Sequence, residues 1–154
     1  MKQNSTVKEQ SLNPQPSVRS KSQLAADNLD EPVLAALHAA SEKKALDPVV
    51  LDLREIASFT DYFVILSGAN ERQVQAISDE IYESLKKSGH AAARVEGYKT
   101  AEWILLDYGD FVVHVFEQKA RKFYDLERLW RESKRVELPA ELITDSAGSL
   151  RRES

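Results

Sequence analysis

The stretch that decides the fold is TDYFVILSGANERQVQAI, residues 60–77, in which an apolar run passes through one glycine into a helical pattern. Residues 62–66 are continuously apolar or aromatic, which is typical of a strand buried on both faces. Gly68 ends the run, and Asn70 is a favourable helix N-cap with Gln73 as its capping-box partner. The stretch therefore predicts a core strand that leads directly into a helix.

The helix after this turn has the clearest pattern in the chain. Its apolar residues follow at intervals of three and four, which gives one stripe for packing on a sheet. Lys86 and Lys87 lie in the last turn, where positive charge interacts favourably with the helix dipole, and Gly89 suits the left-handed position after the helix. The stripe consists of Val74, Ile77, Ile81 and Leu85.

Weaker patterns on either side complete the fold class. Asp30 is a candidate N-cap for a first helix, which we expect Asp47-Pro48 to stop. We predict strands over 49–53, 91–96, 103–106 and 111–116, and a last helix over 119–131. The order α-β-β-α-β-β-β-α predicts a mixed α/β fold, with a five-stranded mixed sheet and helices in two or three layers. The crossover through the central helix makes strands 62–66 and 91–96 parallel.

Composition excludes several classes of function. The 154 residues contain no cysteine, so disulfides, thiol nucleophiles and thiolate metal sites are ruled out. The 25 acidic and 21 basic residues give a net charge of −4, which disfavours binding to free nucleic acid through bulk charge. No apolar run approaches the roughly 20 residues that span a bilayer. We therefore expect a soluble cytoplasmic protein without a membrane partner.

The chain divides into three segments by composition. Residues 1–29 are rich in Gln, Asn, Ser and Pro and predict a disordered tail. Residues 30–137 form the predicted globular domain, and residues 138–154 a flexible C-terminal tail. An organelle transit peptide is the alternative for the first segment, because it is rich in Ser and poor in acidic residues.

Candidate residues for chemistry are few, and each has a simpler structural interpretation. The turn 67–70 could bind an anion at a helix N-terminus, but with one glycine an ordinary capped turn is favoured. Asp107 and Asp110 could share a cation, but both residue types also build hairpin turns. His114, within an apolar strand, is expected to be a core histidine and not a base. We predict no catalytic residue, no metal site and no cofactor.

The strand that begins at Trp103 is the strongest candidate for an interface. Trp103, Leu105 and Asp107 share one of its faces, while Ile104, Leu106 and Tyr108 share the other. If the Trp103 face is open, it offers an aromatic anchor beside carboxylates, a composition suited to docking a basic protein. Pattern alone leaves this interpretation and a plain core role equally open.

Three longer motifs resemble the Iojap family of ribosomal silencing factors. The resemblance covers about residues 31–131, in the order and spacing of that family. The motifs are SFTDYFVI at 58–65 with Gly68 and residues 72–74, then residues 95–97 with WILLDYGDFVVHVF at 103–116, and finally FYDLERLW at 123–130.

The resemblance implies a function without catalysis. Members of this family bind the large ribosomal subunit beside large-subunit ribosomal protein fourteen, block joining of the small subunit and repress translation under nutrient limitation. Their fold is similar to nucleotidyltransferases, and organelle relatives act in ribosome assembly. The partner-binding residues implied here are Trp103, Leu105, Asp107, Tyr108 and Asp110.

Alternatives remain beside this hypothesis. A divergent metal-dependent nucleotidyltransferase could use Asp107 and Asp110, and a ribosome assembly factor could lack the silencing role. Residues 119–135 hold seven basic and four acidic residues, which indicates an ion-paired helix face or, alternatively, a minor contact with ribosomal RNA. A homodimer could form through the short strand at 49–53 or through the aromatic face.

Overall fold

All eight predicted elements are present in the predicted order. The structure is a computed structural model that describes residues 23–25 and 29–144. Three further elements and a break in the last predicted helix distinguish it from the prediction. The elements are β1 Gln23–Ala25, α1 Glu31–Glu42, β2 Leu46–Asp52, β3 Tyr62–Gly68, α2 Glu71–Lys87, β4 Arg94–Glu96, β5 Trp103–Asp107, β6 Phe111–Glu117, α3 Gln118–Tyr124, α4 Leu126–Leu129, β7 Lys134–Glu137 and a 3-10 turn at Ala140–Leu142.

Among the described residues, the sheet has seven strands in the order β1-β7-β2-β3-β6-β5-β4, so the prediction of five strands was wrong. The two additional strands lie beyond β2: β7 pairs with β2 antiparallel, and β1 pairs with β7 parallel. β7 escapes pattern recognition because three of its four residues are charged and only Val136 is buried. β2 is therefore an interior strand, so the expectation that residues 49–53 form an edge strand, on which one route to a homodimer depended, was wrong.

β3 forms the centre of the sheet, as its apolar sequence predicts. It is buried at every position. It pairs antiparallel with β2 and parallel with β6, with Tyr62 opposite Phe111 and Gly68 opposite Glu117. β4 runs in the same direction as β3, as predicted, but β6 and β5 lie between them. The β5–β6 hairpin thus places Trp103 on the strand next to β6, which itself pairs with β3.

The two faces of the sheet are covered unequally. The larger core cluster joins one face to α1 and α2, and includes Val64, Leu66, Ile77 and Ile104. The second cluster lies on the opposite face, where the short helices α3 and α4 contribute Ala120 and Leu126. We call this second, partly covered face the open face. The molecule therefore has a helix layer, a sheet and an incomplete third layer.

The start of α2 is an ordinary capped turn. The side chain of Asn70 accepts a hydrogen bond from the Gln73 amide at 2.9 Å, and the Gln73 side chain accepts from the Ala69 amide at 2.7 Å. The Gln73 amide group also donates to the carbonyls of Lys43 and Lys44. The predicted N-cap is confirmed, but Gln73 accepts from the amide of the residue before the N-cap and not from that of Asn70 itself. The polar groups of this turn are used within it, which favours the structural interpretation over an anion site.

Two helix ends differ from the sequence prediction. α1 ends at Glu42, and Asp47-Pro48 lies inside β2, where Asp47 has φ 48° and the register shifts between Leu46 and Val49. The last predicted helix is interrupted by Asp125, which adopts the left-handed conformation with φ 50°. The chain leaves α1 through Lys44 at φ 59°, whereas the positive φ inside β2 and after α3 falls on aspartate, which tolerates it better than most residue types.

Residues of both predicted tails contact the domain where the structure describes them. β1 falls within the segment predicted as a tail, and the remainder of that segment, except Leu29, lies outside the described residues. On the C-terminal side Leu142 is buried, and the Asp47 amide donates to the Thr144 carbonyl at 2.6 Å. Residues 145–154 lie outside the described part. The domain boundaries at 29/30 and 137/138 stay predictions.

Candidate functional site: the open face of the sheet

Strand β5 divides its side chains between the two faces as its alternation predicts. Ile104 and Leu106 are buried in the core beneath the helices. Trp103 and Leu105 lie on the open face and are only partly buried. The Trp103 face is therefore the less covered of the two. The interpretation of this strand as an interface required that face to be open.

Trp103 is held by directional contacts on this face. Its indole Nε1–H donates to His114 Nδ1 at 3.0 Å. Its ring stacks on Phe116 with centroids 4.9 Å apart, and the Tyr124 ring of α3 lies 4.8 Å away. Trp103 opposes Phe116 in the β5–β6 register, and His114 is its diagonal neighbour. The indole is thus fixed by both a hydrogen bond and aromatic packing.

His114 lies in the floor of the open face. Its side chain is almost fully buried, and Phe63 packs edge-on against its ring at 4.5 Å. Burial lowers the pKa of His114 to about 3, although the carboxylate of Asp107 acts in the opposite direction. A ring that stays neutral at physiological pH, and whose Nδ1 already accepts a hydrogen bond, is the core histidine that the sequence predicted.

Exposed aromatic and aliphatic side chains surround this floor. Phe59 is 60% exposed, and its ring lies 5.8 Å from that of Trp130 and 6.1 Å from that of Phe63. Phe123 is 80% exposed and Leu129 is 72% exposed. Apolar side chains this exposed on one side of a sheet are typical of an interaction surface.

Two of these exposed residues, Phe123 and Leu129, lie in the segment predicted as one continuous helix over 119–131. Their spacing with Leu126 and Trp130 is that of a single apolar stripe. The left-handed turn at Asp125 rotates the two halves of that helix relative to each other, so only Leu126 is buried. The aspartate was the available signal, but it is too common inside helices to predict a break.

The acidic hairpin carries less free charge than its sequence indicates. Asp107 is 26% exposed and forms a 3.4 Å ion pair with Arg94 on the neighbouring strand β4. Its other carboxylate oxygen accepts from the Gly109 amide at 2.9 Å. Arg94 also contacts Glu96 at 3.2 Å. The role of Arg94 was not predictable from local pattern, because pairing of β4 with β5 brings it beside Asp107 from 13 residues away.

Asp110 occupies the exposed tip of the same hairpin. Its backbone carbonyl accepts hydrogen bonds from the amides of Asp61 and Tyr62, and Thr60 Oγ1 donates to the Gly109 carbonyl at 2.9 Å. These bonds tie the hairpin to the start of β3. The Asp110 side chain is exposed, so it is available to a partner.

Tyr108 lies apart from the other predicted site residues. Its ring stacks on Phe111 at 4.9 Å and packs on the core cluster beneath the helices. Burial raises the pKa of Tyr108 to about 12, and its hydroxyl is buried without a hydrogen-bond partner among the described residues. The structure thus brings Trp103, Leu105 and Asp107 together on the open face and places Tyr108 on the opposite side of the hairpin.

Between positions 29 and 144, no three His, Asp or Glu side chains are grouped so that they could hold a metal ion. Each described helix is too short or too polar to cross a bilayer.

The fold and this face define a class of protein. It is a small α/β domain that covers one side of its sheet with helices and presents aromatic side chains beside an acidic hairpin on the other. Comparison with known proteins identifies the family within this class. A family model described as "ribosomal silencing factor during starvation" matches residues 26–153.

Individual relatives agree with the family match. The "Ribosomal silencing factor RsfS" of Halalkalibacterium halodurans is 43% identical over 103 residues, covering 67% of this chain and 88% of that protein. A crystal structure of a Bacillus halodurans protein is 42% identical with a TM-score of 0.64, covering 70% of this chain and 98% of that one. The mouse "Mitochondrial assembly of ribosomal large subunit protein 1" is 32% identical over 92 residues, 58% of this chain and 40% of that protein.

The chain belongs to the ribosomal silencing factor family. The recognition made from the three sequence motifs is confirmed. The family's description is that of a ribosome-associated regulator of translation.

Proposed function

We propose that this protein binds the large ribosomal subunit through its open face and blocks joining of the small subunit, so that translation is repressed under nutrient limitation. The mechanism is steric, because a protein docked on the joining surface and the small subunit compete for the same space. Family membership supports the ribosomal partner, and the structure supplies a surface suited to docking. No catalytic step is required.

The position of Trp103 carries this proposal. It is a large aromatic side chain, partly exposed, fixed in orientation and on the same strand face as Asp107. Such residues dominate the binding energy of protein interfaces when a partner completes their burial. Leu105 lies next to it on the same strand face, and Phe123 extends the apolar surface through its edge-on contact with Tyr124 at 5.0 Å.

The charge of the hairpin favours a basic partner. Large-subunit ribosomal protein fourteen is the partner that the family resemblance implies, and it would face Asp107 and Asp110 together with the aromatic anchor. Acidic groups at the rim of an interface speed the encounter with a basic surface and make binding sensitive to salt. A minor contact with ribosomal RNA would fall to the exposed basic residues of α3 and α4, Lys119, Lys122 and Arg128.

A role in ribosome assembly is the second candidate. The observation that favours it is the mouse relative, whose name describes assembly of the mitochondrial large subunit. Assembly and silencing share the same docking step on the large subunit. They differ in whether the bound protein acts on an immature or a complete subunit. We propose a cytoplasmic location. An organelle address, the alternative for residues 1–29, would lie mostly outside the described part.

The experiment that tests the docking surface is co-sedimentation of Trp103→Ala with isolated large subunits. We expect the variant to stay folded by circular dichroism and to lose most binding. Tyr98→Ala is the matched control, because Tyr98 is also an exposed aromatic residue but its hydroxyl donates to Asp79 on α2, on the helix side. If Trp103→Ala pellets with large subunits as well as Tyr98→Ala does, the open face is not the docking surface.

A further inference from the structure

We propose that His114 is a positioning residue for the docking surface. In this proposal, its Nδ1 holds the Trp103 indole in the one orientation that the partner recognises. The inference rests on the proposed function of the open face and assigns a role to a buried side chain that touches no partner. It follows from the geometry of the two rings and from what each ring nitrogen can donate or accept.

The tautomer of His114 is determined by its neighbour. An indole nitrogen is a donor only, so a 3.0 Å contact between Trp103 Nε1 and His114 Nδ1 requires an unprotonated Nδ1. The imidazole proton is then on Nε2. That nitrogen is buried and has no hydrogen-bond partner among the described residues. The buried imidazole therefore keeps one donor unsatisfied. Among the described residues, its side chain has one hydrogen bond, which it accepts from Trp103.

The other neighbours of Trp103 do not select one orientation of the indole. Phe116 and Tyr124 contact it through ring packing, and the indole Nε1–H donates to His114 and to neither of them. A tryptophan held by stacking alone can turn over about its Cβ–Cγ bond and still cover the same surface. The hydrogen bond removes this freedom, because it directs the Nε1 edge toward the buried imidazole and leaves the remaining edges for a partner.

The aromatic floor in turn holds His114 in place. Phe63 lies edge-on to its ring at 4.5 Å, and the Phe116 ring is nearly parallel to it at 6.3 Å. Leu105 opposes His114 across the β5–β6 pair. An acceptor fixed on a central strand is a more rigid reference than any group on a loop, which is the property that a positioning residue needs.

The first test is spectroscopic and is made on the free protein. Nuclear magnetic resonance resolves the indole Nε1–H signals of its two tryptophans, and Trp130→Phe assigns them. We expect the Trp103 signal to exchange slowly with solvent and to move in His114→Leu, while the Trp130 signal stays in place. A Trp103 indole that exchanges at the rate of a free indole would overturn the inference without the need for any binding measurement.

The second test compares two substitutions of similar size at His114. His114→Asn keeps an acceptor close to the Nδ1 position, whereas His114→Leu removes it. We expect His114→Leu to weaken binding to large subunits about five- to tenfold, as one lost hydrogen bond would, and His114→Asn to weaken it less than about twofold. Equal losses in both variants would reduce His114 to a packing role and overturn the inference.

A double-mutant cycle separates this inference from the proposed function. In a Trp103→Phe background, His114→Leu should have no further effect, because there is no indole left to position. Additive losses would show that His114 acts elsewhere. If Trp103→Ala abolishes binding but His114→Leu binds normally, only the positioning role fails. If Trp103→Ala itself binds normally, the proposed function fails, and the positioning role fails with it.

Discussion

At the scale of single residues, the sequence predicts which side chains share a face but not how their polar atoms meet. Alternation along β5 placed Trp103, Leu105 and Asp107 together, and the structure agrees. The bond between Trp103 and His114 depends on the register of two strands and on the rotation of two rings. Neither the register nor the ring rotation can be read from residue type or spacing, so this contact was not predictable.

Burial of His114 has a consequence for stability that can be measured as a function of pH. The unfolded imidazole takes up a proton as the pH falls below its usual pKa of about 6.5, whereas the folded one resists until about pH 3. The unfolded state therefore binds more protons in this window, and acid favours unfolding. Above pH 6.5 neither state is protonated at this site, and the contribution is fully present.

We predict that wild type loses stability with acid faster than His114→Phe between pH 6 and pH 4. The difference in slope should approach about 1.4 kcal/mol per pH unit. Chemical denaturation at several pH values measures it, and subtraction of the variant removes the part due to carboxylates. Parallel pH profiles for the two proteins would mean that the imidazole is protonated in the folded state.

At the scale of elements, local patterns predicted the long helices and strands. They did not predict the features that depend on strand pairing or on a single backbone angle. The strand–turn–helix at 60–77 was recognised because its strand, cap and stripe all agree. β7 was missed because an edge strand can be short and charged, and the break at Asp125 was missed because its cause is a backbone angle. The exposed aromatic surface follows from that break, so it was missed as well.

The hairpin should respond to charge in two directions. Arg94→Gln leaves the Asp107 carboxylate unpaired and makes the hairpin more acidic, so association with large subunits should become faster at low salt, by about threefold. Asp110→Lys should slow association by a similar factor. Both effects should shrink at high salt because of screening. Association rates measured at two salt concentrations test this, and changes of the same sign in both variants would argue against a basic partner.

The turn that follows β4 should be intolerant of side chains. Gly97 has φ 82°, and a Cβ at this position would collide with the backbone carbonyl of Trp103. We predict that Gly97→Ala lowers the free energy of unfolding by more than about 3 kcal/mol. Gly89→Ala is the control, since Gly89 also has positive φ but faces open space, and should cost about 1 kcal/mol. Equal losses in thermal or chemical unfolding would contradict the role of the clash.

At the scale of the whole molecule, the class of fold was predictable and the extent of the sheet was not. Eight elements in the predicted order define a mixed α/β domain, but strand order depends on long-range pairing that no local pattern encodes. Residues near both ends complete the sheet beyond β2, which converts a predicted edge into an interior strand. One face of this sheet is covered by α1 and α2, and the other carries only the short helices α3 and α4.

The central claim is that occupation of the large subunit prevents joining, and a subunit-joining assay tests it most directly. Purified large subunits are incubated with the protein before small subunits are added, and light scattering or a sucrose gradient measures the joined fraction. We predict that joining falls as the protein is added and is restored when Trp103→Ala replaces it. Undiminished joining at concentrations where wild type co-sediments with large subunits would contradict the account.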